Sequence, residues 1–256
     1  MRKLWSRLSR GIPPLVIVLS VLFFWEISVW IWAIPNWLLP SPSSIGYALY
    51  DKAELIAGHT IVTLEEVIIG FAIAVISGIL LASCIVLSKT LERALYPFVI
   101  ASQTVPIIVI APMLLVWIGY GLTPKVIVVA LISFFPIVVN TVDGMKSIDP
   151  DMERMMRTMG AGRWITFRKV QVPTSIPRMF SGFRVAVAMS VIGAVIGEWV
   201  GSSEGLGYLM IRSKPQFHTE LVFAAIVILS IMGVALFVLV GVVERMVVPW
   251  WYNQRK

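Results

Sequence analysis

The chain has 256 residues, 58% of them hydrophobic and only 14% charged, with a mean hydropathy of +0.89. A soluble domain of this length would be about half apolar and about a quarter charged, so composition excludes a water-soluble globular protein. The formal charge of +7 would suit a nucleic-acid binder, but the placement of the basic residues gives it another origin.

The apolar runs are long and uninterrupted, each near the roughly 20 residues a membrane helix needs. A β-barrel would show short alternating strands instead. The first run, Ile12–Ile34, follows a basic MRKLWSRLSR segment. It is too long for a secretory signal core, and no A-x-A-like cleavage site follows it. Trp30, Trp32 and Trp37 at its far end suit an aromatic belt around a retained span. Five more spans are expected at Ile61–Leu87, Leu95–Trp117, Pro124–Val142, Ile176–Val200 and Leu221–Val247. The expectation is an all-α polytopic protein with six transmembrane helices. A single membrane domain covers residues 12–248, with short terminal segments at 1–11 and 249–256.

Two loops on the side opposite the N-terminus are long enough to hold structure. Pro40 to Gly58 reads as a turn followed by a helix, with Ser43 or Ser44 as N-cap. Gly201–Glu220 carries early glycines and then Leu206, Tyr208, Leu209, Met210 and Ile211, which suggests a short re-entrant or surface helix. With six spans and the N-terminus inside, the inner segments hold sixteen Lys and Arg residues. The outer ones hold four, namely Lys52, Lys125, Arg212 and Lys214. The positive-inside rule therefore places both termini in the cytoplasm and accounts for the net charge.

The longest polar insert is the inner loop 146–175, and within it Asp151 to Pro173 reads as a helix, a turn and a second short helix stopped at proline. Met152, Met155, Met156 and Met159 fall at i, i+3, i+4 and i+7 and so share one face. Gly160 suits the left-handed residue that ends a helix. Methionines are flexible and fit a groove on a partner. The same periodicity also suits a helix lying on the inner leaflet, with Arg154, Arg157, Arg163, Arg168 and Lys169 against anionic lipid.

This loop resembles the E-A-A…G signature of the membrane subunits of bacterial ABC importers. Glu153 is followed by Gly160, and nine residues separate Gly160 from Val170-Gln171-Val172-Pro173. Arg154-Met155 stands where that family usually has two alanines. Leu39-Pro40-Ser41-Pro42-Ser43, Phe135-Pro136-Ile137, Ser147-Ile148-Asp149-Pro150 and Gly205-Leu206-Gly207-Tyr208-Leu209 resemble its nitrate/sulfonate/taurine branch. The resemblance implies a type I (MetI-like) permease fold, with Glu153, Met155, Met156, Met159, Gly160, Val170, Val172 and Pro173 contacting an ATPase subunit. It also implies a second permease subunit, as a homodimer or close heterodimer, and a solute-binding protein outside. The solute would be a sulfonate, nitrate, or a pyrimidine or other vitamin precursor.

No G-x-x-x-x-G-K-[ST] phosphate loop is present, so ATP and Mg belong to the partner ATPase and this chain is expected to hold no cofactor and to be no enzyme by itself. One cysteine, Cys84, and two histidines, His59 and His218, offer no metal-ligand pair. Cys84 reads as a small buried residue and the histidines as solvated. Within the spans, Gln103, Thr104, Asn140, Ser190 and Glu198 are candidates for the solute path, although the ordinary role of each such residue is an interhelical hydrogen bond. Pro106 marks Gln103–Pro106 as a bend, lining the path or needed for packing. Glu26 is expected to pair with a neighbour, and Arg184 to snorkel to the inner surface. An ion-coupled secondary transporter is the alternative, but it predicts an inverted repeat and midplane ionisable groups. No repeat is visible and Glu26 alone is weak support for it, and no cluster of His, Asp or Glu at one depth supports a membrane enzyme.

Overall fold

The computed structural model describes the backbone of residues 2–250 and the side chains of residues 13–250. The side chains of Arg2, Lys3, Arg7 and Arg10, and residues Arg255 and Lys256, which counted toward the cytoplasmic charge, lie outside the described residues. Among the described residues all regular structure is helical. In chain order the helices are α1 (Arg2–Ile31), α2 (Pro42–Asp51), α3 (Ala53–Leu87), α4 (Lys89–Ser102), α5 (Ile107–Ile118), α6 (Leu122–Lys146), α7 (Pro150–Thr158), α8 (Arg163–Trp199), α9 (Leu206–Ser213) and α10 (Thr219–Val247).

Among the described residues, five helical stretches are long and apolar enough to cross a membrane: Pro13–Ile31, α3, α6, α8 and α10. The sixth expected span, Leu95–Trp117, is not one helix. It is α4 and α5, bent by 99° across Gln103–Pro106. Pro106 has no N–H to continue the ladder, and it stands as the N-cap of α5 in an extended conformation. The last turn of α4 tightens before it, with Thr104 N–H bonded to the Ala101 carbonyl at 3.0 Å.

The chain divides into two compact units. One takes residues up to Gly58 together with Leu209–Ile228; the other takes His59–Tyr208 together with the chain from Leu229 onward. In the first unit, the N-cap of α2 is Ser41 rather than Ser43 or Ser44. Ser41 Oγ accepts from Ser44 N–H, and Pro42 fills the first helical position, where a missing N–H costs nothing. Ser43 is used instead by Glu26, whose carboxylate accepts from the Ser43 N–H at 2.9 Å and hydroxyl at 2.6 Å. Glu26 thus has the neighbour expected of it. Thr219 donates to the Trp37 carbonyl at 2.6 Å, and Trp25 meets Phe223 at 5.7 Å.

In the second unit α6 is the central helix, flanked by α3 and α8. Glycines let the backbones approach, as small residues do in membrane bundles. A Cβ on Gly182 of α8 would lie 2.7 Å from Asn140 Cβ, and one on Gly193 would lie 2.9 Å from Val129 Cα. On α3, Gly70 faces Val129 and Gly78 faces Ile137. Val67, Val129, Val191, Ala194 and Met232 close one apolar cluster. Ala74, Ile137 and Ala186 close another. Cys84 is not buried; it is exposed on α3, on a helix whose outward residues include Ile68, Ile76 and Leu80.

Candidate functional site

The inner loop opens with Asp149, whose carboxylate accepts from Asp151 N–H at 2.9 Å and caps α7, with Pro150 in the first turn. Glu153 and Arg157 pair one turn apart at 2.7 Å. Met152, Met155 and Met159 are exposed, Met159 by 75%, and Met156 is half-buried. The helix ends in a Schellman motif. Gly160 takes φ +76°, its N–H bonds the Arg157 carbonyl, and Ala161 N–H reaches the Met156 carbonyl, both at 3.0 Å.

The second helix of the loop is not stopped at proline. It begins at Arg163, passes through a π segment at Phe167–Gln171 and continues without interruption to Trp199. Val172 N–H bonds the Phe167 carbonyl five residues back, and Pro173 follows at once. The missing proline N–H falls where the bonding register changes, so the helix survives it. Val170 and Val172 are half-buried and Pro173 is exposed. Trp164 and Ile165 add to the exposed apolar surface at 60% and 45%. Sequence reasoning passed over both, although two large apolar residues beside Arg163 in a polar loop were a signal. A cavity of about 480 Å³ lies beside the loop, lined by Lys89, Glu92, Lys146, Glu153, Arg157 and Arg163 among others.

The expected path residues are not brought together. Gln103, Thr104 and Pro106 are exposed at the α4–α5 bend, with Thr104 Oγ1 bonded to the Ala101 carbonyl at 2.8 Å. Asn140 is half-buried, donates to the Pro136 carbonyl at 2.8 Å and packs on Gly182. Ser190 is fully buried and donates to the Val187 carbonyl within its own helix at 2.7 Å. Arg184 ion-pairs with Glu244 of α10, and its guanidinium lies 5.7 Å from the Phe237 ring centre.

Glu198 sits inside a polar network at the far end of α8 from the loop. It accepts from Thr63 Oγ1 at 2.6 Å and from Gly207 N–H at 2.5 Å. Thr63 accepts in turn from Leu206 N–H at 2.9 Å, and His59 Nδ1 accepts from Gly205 N–H at 3.0 Å. His59 is therefore not a solvated histidine. Glu66, beside Glu198, is ion-paired with Lys125, and Lys125 also donates to Ser202 at 3.0 Å. The sequence carried a sign of this: His59, Thr63 and Glu66 fall at i, i+4 and i+7 and share one face of α3. Among the described residues no group of His, Cys, Asp and Glu could hold a metal.

Comparison with known proteins places these features. Residues 74–249 match the family described as binding-protein-dependent transport system inner membrane component. The formylaminopyrimidine transport permease protein ThiX of Halalkalibacterium halodurans is 40% identical over 97% of this chain and 100% of its own. The riboflavin transport system permease protein RibX of Chloroflexus aurantiacus is 37% identical over 94% of this chain and 90% of its own. The putative aliphatic sulfonates transport permease protein SsuC of Bacillus subtilis is 26% identical over 97% of this chain and 90% of its own. Among solved structures, an amino acid ABC transporter with histidines matches with a TM-score of 0.62 at 20% identity, over 78% of this chain and 97% of that one. That likeness shows a shared fold. The long apolar helices and the family match together make the chain an integral inner-membrane protein. It belongs to the inner-membrane permease components of binding-protein-dependent ABC importers.

Proposed function

We propose that this permease imports a pyrimidine-type or related heterocyclic vitamin precursor, and that α7 with the start of α8 is the seat of its ATPase subunit. The observation that carries the proposal is the exposed apolar surface of Met152, Met155, Met159, Trp164 and Ile165 on a loop otherwise rich in charge. Water-exposed apolar patches of this kind mark partner surfaces. Glu153, Met156, Gly160, Val170, Val172 and Pro173 complete that seat, with Gly160 fixing the angle between its two helices. ATP and Mg bind in the partner, since this chain has no phosphate loop. The solute class is supported by the higher identity to the formylaminopyrimidine and riboflavin permeases than to the sulfonate permease.

Two copies of the chain form the path, and Gln103, Thr104 and Pro106 at the α4–α5 bend face it. The binding protein delivers solute on the side of α2 and α9, and both termini are cytoplasmic by the Lys and Arg distribution. The test is coexpression with the cognate ATPase and binding protein, followed by uptake in proteoliposomes of a formylated aminopyrimidine and of taurine in parallel. A stable ATPase complex with ATP-dependent uptake of the pyrimidine alone is the expected result. Uptake of taurine alone would overturn the solute assignment, and failure to recover the ATPase with the chain would overturn the seat.

A further inference from the structure

Three consecutive backbone N–H groups, those of Gly205, Leu206 and Gly207, are each taken by a side chain: His59, Thr63 and Glu198. Thr63 and Glu66 have no exposed surface, and Glu198 has 1%. Thr63 is the pivot, because its one hydroxyl donates to Glu198 and accepts from Leu206. Lys125 of α6 joins the set through Glu66 and holds Ser202 at the start of the same loop. There is no slack: a Cβ on Gly205 or Gly207 would overlap the Glu198 carboxyl group. Buried ionic groups of this kind are a poor source of stability compared with apolar packing, so their presence calls for a use other than holding the fold.

That use follows from what else is attached to Glu198. It stands at one end of α8, and the opposite end of the same 37-residue helix is the loop segment from Arg163. At about 1.5 Å per residue the helix is roughly 55 Å long, and no break interrupts it. We infer that the Thr63–Glu198 pair is a latch fixing Gly205 and the first turn of α9 to α8, so that the ATPase-side loop and this turn respond to one another through the helix. The inference rests on the ATPase seat proposed above, and Thr63 acts in it as a positioning residue.

Coupling between two ends is reciprocal, so it can be read without knowing the solute. The full complex of permease and ATPase in nanodiscs is compared with and without ADP trapped by vanadate after ATP hydrolysis, by hydrogen exchange of peptides covering residues 201–208. In the wild type, trapping should change exchange at Leu206 and Gly207 by about tenfold, the scale of one buried hydrogen bond. Thr63→Val should assemble with ATPase and trap nucleotide, yet lose that response; Thr63→Ser should restore it. A wild type with no response, or a Thr63→Val complex that responds as the wild type does, overturns the latch. A Thr63→Ser complex as silent as Thr63→Val, with both assembled, also overturns it, because a hydroxyl at that position would then not suffice. Absence of any ATPase complex in the wild type would instead strike the proposed seat, and a pull-down distinguishes the two.

Discussion

Arg184 and Glu244 are 60 residues apart in sequence and form an ion pair between α8 and α10, with Glu244 only 8% exposed at its side chain. Gly241 makes room for the pair, since a Cβ there would lie 3.1 Å from the guanidinium. Removing Glu244 takes a charge-assisted hydrogen bond away from a guanidinium that also packs on Phe237. Glu244→Ala should therefore destabilise the chain by about 1.5–3 kcal/mol. The double change Arg184→Met with Glu244→Leu should recover most of the loss. Thermal unfolding in detergent, followed by retention of the monodisperse peak, checks both.

Gly160 has nothing within 4 Å of where a Cβ would sit, but its φ is +76°. The cost of a side chain there is one of backbone conformation, about 1–2 kcal/mol for most residues and greatest for a β-branched one. Gly160→Val should leave the protein in the membrane, abolish uptake and weaken recovery of the ATPase. Gly160→Asn should be milder, because asparagine tolerates the left-handed region. Uptake and pull-down measured side by side test the order.

Met159 is 75% exposed in the isolated chain, so replacing it costs the chain itself little. In a partner's groove each buried methionine would contribute about 1.5–3 kcal/mol. Met159→Asp and Met156→Asp should both reduce ATPase binding at least tenfold while expression holds. Loss of binding on neutralising Arg154 and Arg168, with the methionine variants unaffected, would favour the inner-leaflet role of the loop instead.

Cysteines at Gln103 and Thr104 should react with small hydrophilic thiol reagents, at rates that change with the nucleotide state of the ATPase. A cysteine at Ser190 should stay inert, because that position is fully buried. Cys84 is exposed, so the experiment requires a Cys84→Ser background. Inert thiols at both 103 and 104 in every state would remove the bend from the path.

The sequence made the helices legible because each is an apolar run bounded by charge, proline or glycine, and it made the α4–α5 bend legible because Pro106 cannot continue a helix. The Schellman end of α7 was legible from Gly160 alone. The latch was not, since Thr63 and Glu198 lie 135 residues apart and pairing across that distance depends on how α3 and α8 pack on α6. The partner of Arg184 was not legible for the same reason, since Glu244 lies on another helix 60 residues on. Pro173 misled in the opposite direction. As a breaker it predicts a stop, but a change of bonding register can absorb one missing N–H, and nothing local announces that.

The π segment before Pro173 also sets a phase. One turn of bonding five residues back is equivalent to an extra residue in an α-helix, and each residue turns the helix by about 100°. The azimuth of Trp164 and Ile165 about the axis is thus offset by that angle from the direction the membrane portion of α8 would dictate in a regular helix. Loss of a single residue between Phe167 and Gln171 would let the helix run regularly with the loop still on its present side of the axis, whereas regular bonding without that loss would swing the whole loop to another side, with every side chain chemically intact. Along this stretch of the chain, length carries information that residue identity does not.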